Sequence, residues 1–552
     1  MAGGTAAAHD STYICNIILT TLPIFFCVLA TIFSSPATAA VRRSSQWTNH
    51  GANLFNTRHA KHEPLINASS VVHMSMRWRF ITGFDVSATP AIFRGKVYFP
   101  SWNGNLYAVA ADSGELVWMR NLTQLTGILY GDHQRGENTT LSRSTPTIAG
   151  WHSEMLIISL YGPAVVIAVK RSNGELIWQK QIDFAPASVI TMSGTYYQGG
   201  LYVGTSSVEE NFPDECCTFQ GSFMRLNATT GDIVWRTPML PDNHGQQNLY
   251  SGAPIWGSSP SIDPIRSLVF IATGNVYGVP PDIAACQEEQ NNKTIKDFPN
   301  PCIEPDNHEE SILALDLATG EIKWYHELGG YDAWVSSCSG AVKSPNCPTG
   351  PNPDYDFSDC PSLLTIDYGN DTMQDVAVAV QKSGNIWAVD RDTGALVWSS
   401  VSGPGGGGGQ IWGTATDGET IYVNVPNSRH KDWTLVPETR NITTGGWAAV
   451  KASTGAVLWS TPNPALSPAI GPVSLANSGV VFGTSMDRNG SVFALDGRSG
   501  AVLWSATTNA TIYGGVSISD GCIFVGCGAS TNVGAGYNGT KGDSVYAFCV
   551  PH

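Results

Sequence analysis

The stretch "DRDTGALVW", residues 390–398, carries a pattern that recurs along the chain. A strand-like segment ends in polar residues, Gly follows, and a Trp comes four positions after the Gly. Asp or Asn, Ser or Thr, and Gly form tight turns, in which Gly accepts a positive φ. Each copy therefore predicts a turn between two strands, followed by a large flat side chain that packs on a neighbouring sheet. Seven copies keep the same Gly-to-Trp spacing, and they end at Trp118, Trp178, Trp235, Trp324, Trp398, Trp459 and Trp504.

The segments between the copies show no helical period. Small sheets that cannot bury both faces must stack on neighbours, and radial closure covers their edges. The last segment, residues 514–550, stops before a Gly-xxx-Trp strand of its own, and "SMRWRF" (Ser75–Phe80) can supply the missing strand. The sequence thus predicts an all-β, eight-bladed propeller of four-stranded antiparallel sheets, closed by pairing of N- and C-terminal strands. Extra residues between Gly231 and Gly394 predict long loops, where sites are usually found.

Composition and the N-terminus narrow the class of protein. The net charge of −15 without a basic stripe argues against a nucleic-acid surface. The apolar run Ile17–Phe33, followed by small residues, predicts a signal peptide over residues 1–40 and one propeller domain over 41–552. A retained membrane anchor is the alternative for this run. After signal removal we expect no membrane segment, and a location in the secretory lumen or outside the cell (extracellular, cell wall or vacuole).

Sequons and cysteines agree with a secretory route. Ten Asn-x-Ser/Thr sequons, Asn138 among them, indicate a glycoprotein. Ten cysteines remain after the predicted signal peptide, and an even number in an oxidising compartment indicates disulfides. Cys286 with Cys302, and Cys338 with Cys347, can close short loops. The remaining pairs are left open by the sequence.

Eight blades built on such turns resemble the pyrroloquinoline-quinone (PQQ) dehydrogenases, the quinoprotein alcohol dehydrogenases, over residues 44–550. The block "CCTFQGS", residues 216–222, is similar to polyvinyl-alcohol-dehydrogenase-like members. The resemblance implies a secreted oxidoreductase in which PQQ accepts hydride and Ca²⁺ acts as a Lewis acid. It also implies a small-molecule or polymeric alcohol as substrate. The chain has no C-x-x-C-H motif, so electrons would pass to a separate acceptor.

The same resemblance implies the residues of a site. Asn275 and either Glu209 or Glu210 match the calcium ligands. Trp256 would stack beneath the quinone, and a disulfide between the adjacent Cys216 and Cys217 would cover the other face of the ring, unless the two cysteines bond elsewhere. Further residues expected at the cofactor are Lys382, Arg143 and Trp412.

The proton acceptor is where the chain departs from the family. Alcohol dehydrogenases of this kind carry an Asp immediately after Trp in a D-x-W-D motif, whereas this chain reads "YDAWVSS" with Val335 at that position. Either Asp332 takes the proton, or Asp306 does, or the alcohol oxidation is lost. Three functions stay open: a PQQ- and Ca²⁺-dependent dehydrogenase, different chemistry on the same propeller, and a non-catalytic binding or scaffold propeller.

Overall fold

The computed structural model describes residues 46–129, 139–212, 216–295, 297, 299–339, 346–406, 412–530 and 537–551. The predicted signal peptide and the sequon at Asn138 lie outside these residues. Within the described part, no helix has the length and apolar character needed to cross a bilayer.

Eight four-stranded antiparallel sheets form the blades of a propeller, as predicted. Blades 1 and 2 consist of Ala91–Phe93, Lys96–Pro100, Asn105–Ala110 and Leu116–Asn121, then Thr147–Ile148, Met155–Ser159, Val165–Lys170 and Leu176–Gln181. Blades 3 and 4 consist of Thr195–Tyr197, Gly200–Gly204, Ser222–Asn227 and Ile233–Pro238, then Ser261–Asp263, Leu268–Ala272, Ser311–Asp316 and Ile322–Glu327. Blades 5 and 6 consist of Ser362–Asp367, Met373–Val380, Asn385–Asp390 and Leu396–Val401, then Ala415–Thr416, Thr420–Val425, Gly446–Lys451 and Val457–Pro462. Blades 7 and 8 consist of Ser474–Ala476, Val480–Thr484, Ser491–Asp496 and Val502–Thr507, then Ser517–Ser519, Cys522–Gly526, Ser544–Cys549 and Ser75–Ile81.

Short elements decorate the ring. His59–Ala60 adds a parallel edge to blade 7, and three two-stranded sheets pair Ser188–Val189 with Ser206–Ser207, Ser251–Gly252 with Val276–Gly278, and Trp433–Thr434 with Asn441–Ile442. The α-helices are Ala68–Val71, Leu122–Thr126 and Pro281–Asn292, and the 3₁₀ turns are Glu209–Asn211 and Ser336–Cys338.

The N-terminal strand closes the ring, which confirms the prediction made from Ser75–Phe80. It pairs antiparallel with the last strand of the chain, with Ser75 opposite Cys549 and Phe80 opposite Val545. Its Trp78 occupies the place that the repeated Trp holds in the other blades. The indole nitrogen of Trp78 donates to the carbonyl of Ala111 in blade 1, at 3.0 Å.

The same indole contact joins every blade to the next. Each repeated Trp donates its ring N–H to a backbone carbonyl of the following blade, as Trp118 does to Arg171 at 2.9 Å. Except at Trp504, the ring also lies on the turn glycine of that blade. At Gly114, φ is +73° and an added Cβ would come within 2.7 Å of the Trp78 ring. Gly is therefore required there both for its conformation and for the close approach of the indole.

The described residues that precede the strand Ser75–Ile81 run around the propeller axis and contact the inner strands of the blades. Ile148 of blade 2 donates to the Thr48 carbonyl at 2.8 Å, and Leu363 of blade 5 donates to the Phe55 carbonyl at 2.9 Å. The buried ring of His50 contacts the backbone carbonyl of Trp412. The inner ends of the blades are thus joined by main-chain hydrogen bonds to one shared segment.

Four disulfides occur among the described residues: Cys216–Cys217, Cys286–Cys302, Cys338–Cys347 and Cys522–Cys549. The two loop closures predicted from spacing are confirmed. The disulfide Cys522–Cys549 joins two neighbouring strands of blade 8. Cys360 and Cys527 are free and buried.

Candidate active site

Chain direction brings the chemically important residues to one face of the propeller. In an antiparallel blade the start of the first strand and the loop between the second and third strands lie at the same end of the sheet. Arg143, Trp256 and Trp412 each precede a first strand, whereas Glu210 and Lys382 follow second strands. All five line one cavity of about 870 Å³. The structure therefore brings these predicted residues together.

Aromatic faces and cations alternate in this cavity. The Lys382 ammonium lies 5.1 Å from the centre of the Trp256 ring. Trp256 meets Trp412 edge to face, with centroids 5.3 Å apart, and its Nε1 donates to Asp356 at 3.0 Å. The Arg143 guanidinium lies 4.6 Å from the centre of the Trp412 ring. These contacts hold the indole rings in fixed orientations and place positive charge beside them.

Two aspartates that the sequence analysis did not select hold the lysine. Lys382 Nζ lies 2.6 Å from Asp354 Oδ1 and 3.2 Å from Asp356 Oδ2, and all three side chains are largely buried. Burial raises the pKa of Asp354 to about 6, although Lys382 opposes this shift. Burial lowers the pKa of Lys382, but the two aspartates more than reverse this and bring it well above its usual value. The lysine is therefore charged, and Asp354 is the nearer of the two carboxylates bonded to it in the cavity.

The structure distinguishes the two glutamates that were left open as calcium ligands. Glu210 lines the cavity, hydrogen-bonds the Tyr277 hydroxyl, and has a pKa raised to about 8, mainly by burial. The carboxylate of Glu209 instead accepts the backbone N–H groups of Thr218 and Phe219, both at 2.8 Å. Glu209 thereby fixes the chain just after the cysteine pair, and Glu210 is the one that reaches the cavity.

Asn275 is buried just below the cavity lining. Its Nδ2 donates to the carbonyls of Val276 and Trp334, at 2.7 and 2.8 Å. Its backbone N–H donates to Asp356 Oδ1 at 3.1 Å. The amide therefore orients the loop that carries Trp334 and lies next to the carboxylates around Lys382.

Three carboxylates form a group next to Asn275, and one of them, Asp356, also lines the cavity. Oxygen atoms of Glu310, Asp332 and Asp356, one from each, lie within 4.8 Å of one another. Glu310 Oε2 accepts from Gln381 at 2.9 Å, whereas its Oε1 has no hydrogen-bond partner among the described residues. Burial raises the pKa of Glu310 well above its usual value. Oxygen donors at this spacing suit a hard cation such as Ca²⁺.

Asp332, the predicted proton acceptor, is only 1% exposed and is not among the described residues that line the cavity. Its carboxylate accepts the backbone N–H groups of Tyr355 and Asp354, at 2.6 and 3.4 Å. Burial raises its pKa to about 8. Asp332 thus positions the backbone of Asp354.

Comparison with known proteins decides the family. A family profile described as "Glucose/ethanol/alcohol dehydrogenase, beta-propeller domain", of the PQQ group, matches residues 47–404. This chain belongs to the PQQ-dependent β-propeller dehydrogenases. A second profile, described as "Outer membrane protein assembly factor BamB", matches residues 443–548.

Relatives and solved structures agree with this membership. A polyvinylalcohol dehydrogenase from a Pseudomonas species is 27% identical over 550 residues, which cover 92% of this chain and 77% of the relative. Another from Sphingopyxis sp. (strain 113P3) is 25% identical and covers 94% and 78%. The quinohemoprotein alcohol dehydrogenase from Comamonas testosteroni has the same fold, with a TM-score of 0.67, 16% identity, and coverage of 92% and 82%. These relatives support alcohol oxidoreduction of the quinoprotein type.

The cavity fits the PQQ of this family. PQQ is a flat ring system with carboxylates, and the cavity offers the Trp256 face together with Lys382, Arg143 and Arg429. The buried Nε1 of Trp412 has no hydrogen-bond partner among the described residues, so a donor is free in the cavity wall. A polar planar anion satisfies both the stacking surface and this donor.

Four further residues from the sequence analysis lie outside the first cavity. Asp306 is exposed, and Val335 is buried and lines a second cavity of about 420 Å³. Cys216 and Cys217 are bonded to each other and line this second cavity also, and neither is among the described residues of the first. The structure thus pairs the two cysteines but does not place them opposite Trp256. Because Val335 faces away from the first cavity, its side chain does not decide whether that cavity holds a base.

Proposed function

We propose that this protein is a PQQ-dependent alcohol dehydrogenase that oxidises a secondary alcohol on a polyol or polymer chain. The observation that carries the proposal is Asp354, a buried carboxylate 2.6 Å from Lys382 in the cavity that holds Trp256. Names of two relatives support a polymeric alcohol as the substrate. Val335 at the expected base position was the reason for favouring a repurposed or non-catalytic propeller. Because Asp354 supplies a carboxylate in the cavity, that reason no longer applies.

The chemistry requires removal of a hydride from the carbinol carbon and of a proton from its hydroxyl. When bound, PQQ supplies the two-electron acceptor. Asp354 accepts the hydroxyl proton, and a pKa of about 6 leaves it ionised at neutral pH. Lys382 keeps that carboxylate charged, and the Trp256 face, 5.1 Å from the Lys382 ammonium, would hold the flat cofactor.

Substitution of the two candidate bases tests the assignment. Asp354→Asn should keep PQQ binding and lower turnover by about 10²–10⁴-fold, which is the usual contribution of a general base. Asp332→Asn keeps one acceptor oxygen and so removes the acceptor for only one of the two backbone N–H groups, and it should reduce turnover less. Bound quinone is measured by its absorption spectrum, and turnover by reduction of a dye with added Ca²⁺. Full activity in Asp354→Asn would contradict the proposal and return the role to Asp332.

We propose that Ca²⁺ binds among the carboxylates at the wall of the cavity, next to Asn275. Two ligand sets are supported: Glu210 at the cavity wall, and the group that contains Glu310, Asp332 and Asp356. Calorimetric titration of the cofactor-free protein with Ca²⁺ separates them. If Glu210 is a ligand, Glu210→Gln should weaken Ca²⁺ binding, and if Glu310 is a ligand, Glu310→Gln should do so. Glu209→Gln should leave Ca²⁺ binding intact. Unchanged affinity in both Glu210→Gln and Glu310→Gln would contradict a site here.

The finer parts of the function follow from the sequence. We propose that the mature chain is a secreted glycoprotein and passes electrons to a separate acceptor. Ten sequons support the first point, and the lack of a C-x-x-C-H motif supports the second. A mass loss on treatment of secreted protein with an N-glycosidase is the expected result.

A further inference from the structure

Three of the sequons lie on the face of the propeller that carries the first cavity. Asn489 is in the loop between the second and third strands of blade 7, and Asn538 is in the corresponding loop of blade 8. Asn509 precedes the first strand of blade 8, which places it at the same end of the sheet. All three asparagines are exposed. This face therefore carries three accessible acceptor side chains for N-linked glycans.

Hydrogen bonds between the three sequons hold their loops against one another. The backbone N–H of Thr511 donates to Thr540 Oγ1 at 2.8 Å, and the N–H of Thr540 donates to Thr511 Oγ1 at 2.9 Å. These threonines are the last residues of the second and third sequons. Thr508, just before the second sequon, donates its N–H to the carbonyl of Asn489 at 3.2 Å. The sequons thus form one surface, the sequon patch, which consists of Asn489, Asn509 and Asn538.

The same three loops build part of the wall of the first cavity. They contribute Met486, Tyr513 and Tyr537 to one apolar cluster with Trp256 and Trp412. Tyr513 and Tyr537 line the cavity, and Tyr537 directly precedes the asparagine of the third sequon. The aromatic side chains of these loops face the cavity, whereas the asparagines are exposed to solvent. The sequon patch is therefore at the rim of the cavity, on the side of blades 7 and 8.

We propose that the sequon patch carries N-linked glycans, which screen this side of the cavity from large molecules. In the transfer, Nδ2 of each asparagine forms a bond to C1 of an oligosaccharide and loses a proton, and the bond from C1 to a lipid-linked pyrophosphate breaks. The attached glycans are bulky and hydrophilic, so they hinder a polymer more than a small alcohol. This inference rests on the proposed function, from which it takes the secretory route and the alcohol substrate, and it adds a limit on how a polymer approaches the cavity.

Two variants remove glycans from opposite faces of the ring. The rim variant combines Asn489→Asp, Asn509→Asp and Asn538→Asp. The control variant combines Asn227→Asp and Asn370→Asp, which change exposed sequon asparagines in turns on the opposite face of blades 3 and 5. Asp is chosen because Asn370, Asn509 and Asn538 have φ values of +52°, +65° and +56°, a conformation that Asp tolerates.

Occupancy of the sequons is measured first, on protein secreted by a eukaryotic host. Removal of N-glycans by a glycosidase in heavy-oxygen water converts each occupied asparagine to a labelled aspartate, which peptide mass spectrometry locates. We expect the label at two or more positions of the sequon patch. Label at fewer than two would overturn the inference. Absence of label from the whole chain would overturn the glycoprotein part of the proposed function as well.

Turnover of two alcohols tests the screen. Protein loaded with PQQ and Ca²⁺ is assayed with 2-propanol and with poly(vinyl alcohol). Loss of the glycans widens the range of productive approaches, so kcat/KM for the polymer should rise by about two- to fivefold in the rim variant. The value for 2-propanol, and both values in the control variant, should stay unchanged. A polymer value that does not rise, or that rises equally in the control variant, would overturn the screen.

Proteolysis separates failure of the screen from failure of the proposed function, because it does not depend on turnover. Arg488 and Lys541 are exposed beside the sequon patch, and Arg498 is exposed in a turn of blade 7 on the opposite face. Trypsin should cut after Arg488 and Lys541 severalfold more slowly in the glycosylated protein than in the rim variant, and after Arg498 at the same rate in both.

The two proposals then give different results. Slower cleavage beside the sequon patch, with no turnover of any alcohol, would retain the screen and refute the dehydrogenase. Equal cleavage, with turnover intact, would refute the screen alone. Thermal unfolding checks that each variant is folded, and if the rim variant is not, the glycosidase-treated protein replaces it, since that treatment leaves the same aspartates.

Discussion

Replacing Lys382 by methionine tests how the cavity sets the charge of Asp354. Methionine keeps a long apolar side chain and removes the ammonium, which lies 2.6 Å from Asp354 and 3.2 Å from Asp356. The lysine is the main group that opposes the effect of burial on the pKa of the Asp354 carboxyl, and Arg429 adds a smaller effect in the same direction. Without it, the pKa of Asp354 should rise from about 6, because the repulsion from Asp356 is no longer offset.

The magnitude follows from the contact. An opposite charge at this distance lowers a carboxyl pKa by about 1–3 units, and loss of a cation shared by two aspartates falls in the upper half of that range. The pKa of Asp354 should then reach about 8–9. A base must be unprotonated to act, so at pH 7 only about 1–10% of the variant would be competent. We expect kcat/KM at pH 7 to fall by roughly 10–100-fold and to recover as the pH approaches 9.

The assay is the pH profile of kcat/KM, measured at saturating PQQ and Ca²⁺. The rising limb of Lys382→Met should move to higher pH. In Lys382→Arg it should stay close to that of the unmodified protein, because the charge is retained. Lys541→Met serves as a control for loss of a distant cation that lies over Phe84. A rising limb that does not move in Lys382→Met would refute the assignment of Asp354 as the base under the control of Lys382.

Two further predictions concern stability. Gly114→Ala should lower the free energy of unfolding by about 2–4 kcal/mol, from the positive φ and from contact with Trp78, whereas Gly95→Ala, with a φ of +71° and open space around the new Cβ, should cost about 1–2 kcal/mol. Equal urea midpoints for the two variants would contradict the packing of Trp78 on the turn. Without divalent cations, the thermal midpoint should fall as the pH rises from about 4 to 8, because burial raises the folded-state pKa of Asp332 to about 8 and that of Glu310 well above its usual value. In this pH range the folded state keeps protons that the unfolded chain has lost, so the stabilisation is present at low pH and is lost as the pH rises. A thermal midpoint that stays constant or increases from pH 4 to 8 would contradict this prediction.

The fold was predictable because one contact repeats. A Trp at a fixed distance from a turn Gly specifies both the last strand of a blade and the surface on which the next blade packs. The same logic identified Ser75–Phe80 as the missing strand, since Trp78 meets Gly114 as the other indoles meet their glycines. Packing of this kind is local to neighbouring blades, and for that reason the sequence spacing is enough to predict it.

The site was predictable only in part. The resemblance to the family implied Arg143, Trp256, Lys382 and Trp412, and the structure brings all four to one cavity. Asp354 was missed because it comes from a long insertion, and a motif near Trp334 cannot show which carboxylate returns to the cavity. The available clue was the alternation in "PDYDF", residues 353–357, which places two carboxylates just before blade 5.

Neighbouring residues in this insertion face different cavities. Trp334 lines the first cavity and Val335 lines the second. A shift of one residue along the motif therefore changes the cavity to which a side chain belongs. The cysteine pair presents the same difficulty, because its likeness to a cofactor-covering disulfide does not tell on which side of Tyr277 it lies. Such assignments depend on the path of the loop, which spacing alone does not determine.

The charge balance around Lys382 links the base, the metal and the pH dependence. Six acidic side chains surround this single lysine or lie behind it: Glu210, Glu309, Glu310, Asp332, Asp354 and Asp356. Lys382 and the two arginines of the cavity, Arg143 and Arg429, supply fewer positive charges than six ionised carboxylates, so some of these carboxylates must hold either protons or a metal ion. A bound Ca²⁺ would replace those protons and lower the pKa values of the carboxylates near it. Calcium and protons therefore compete for the same oxygens. A divalent cation bound at these carboxylates would favour the ionised form of Asp354, as Lys382 does through its direct contact.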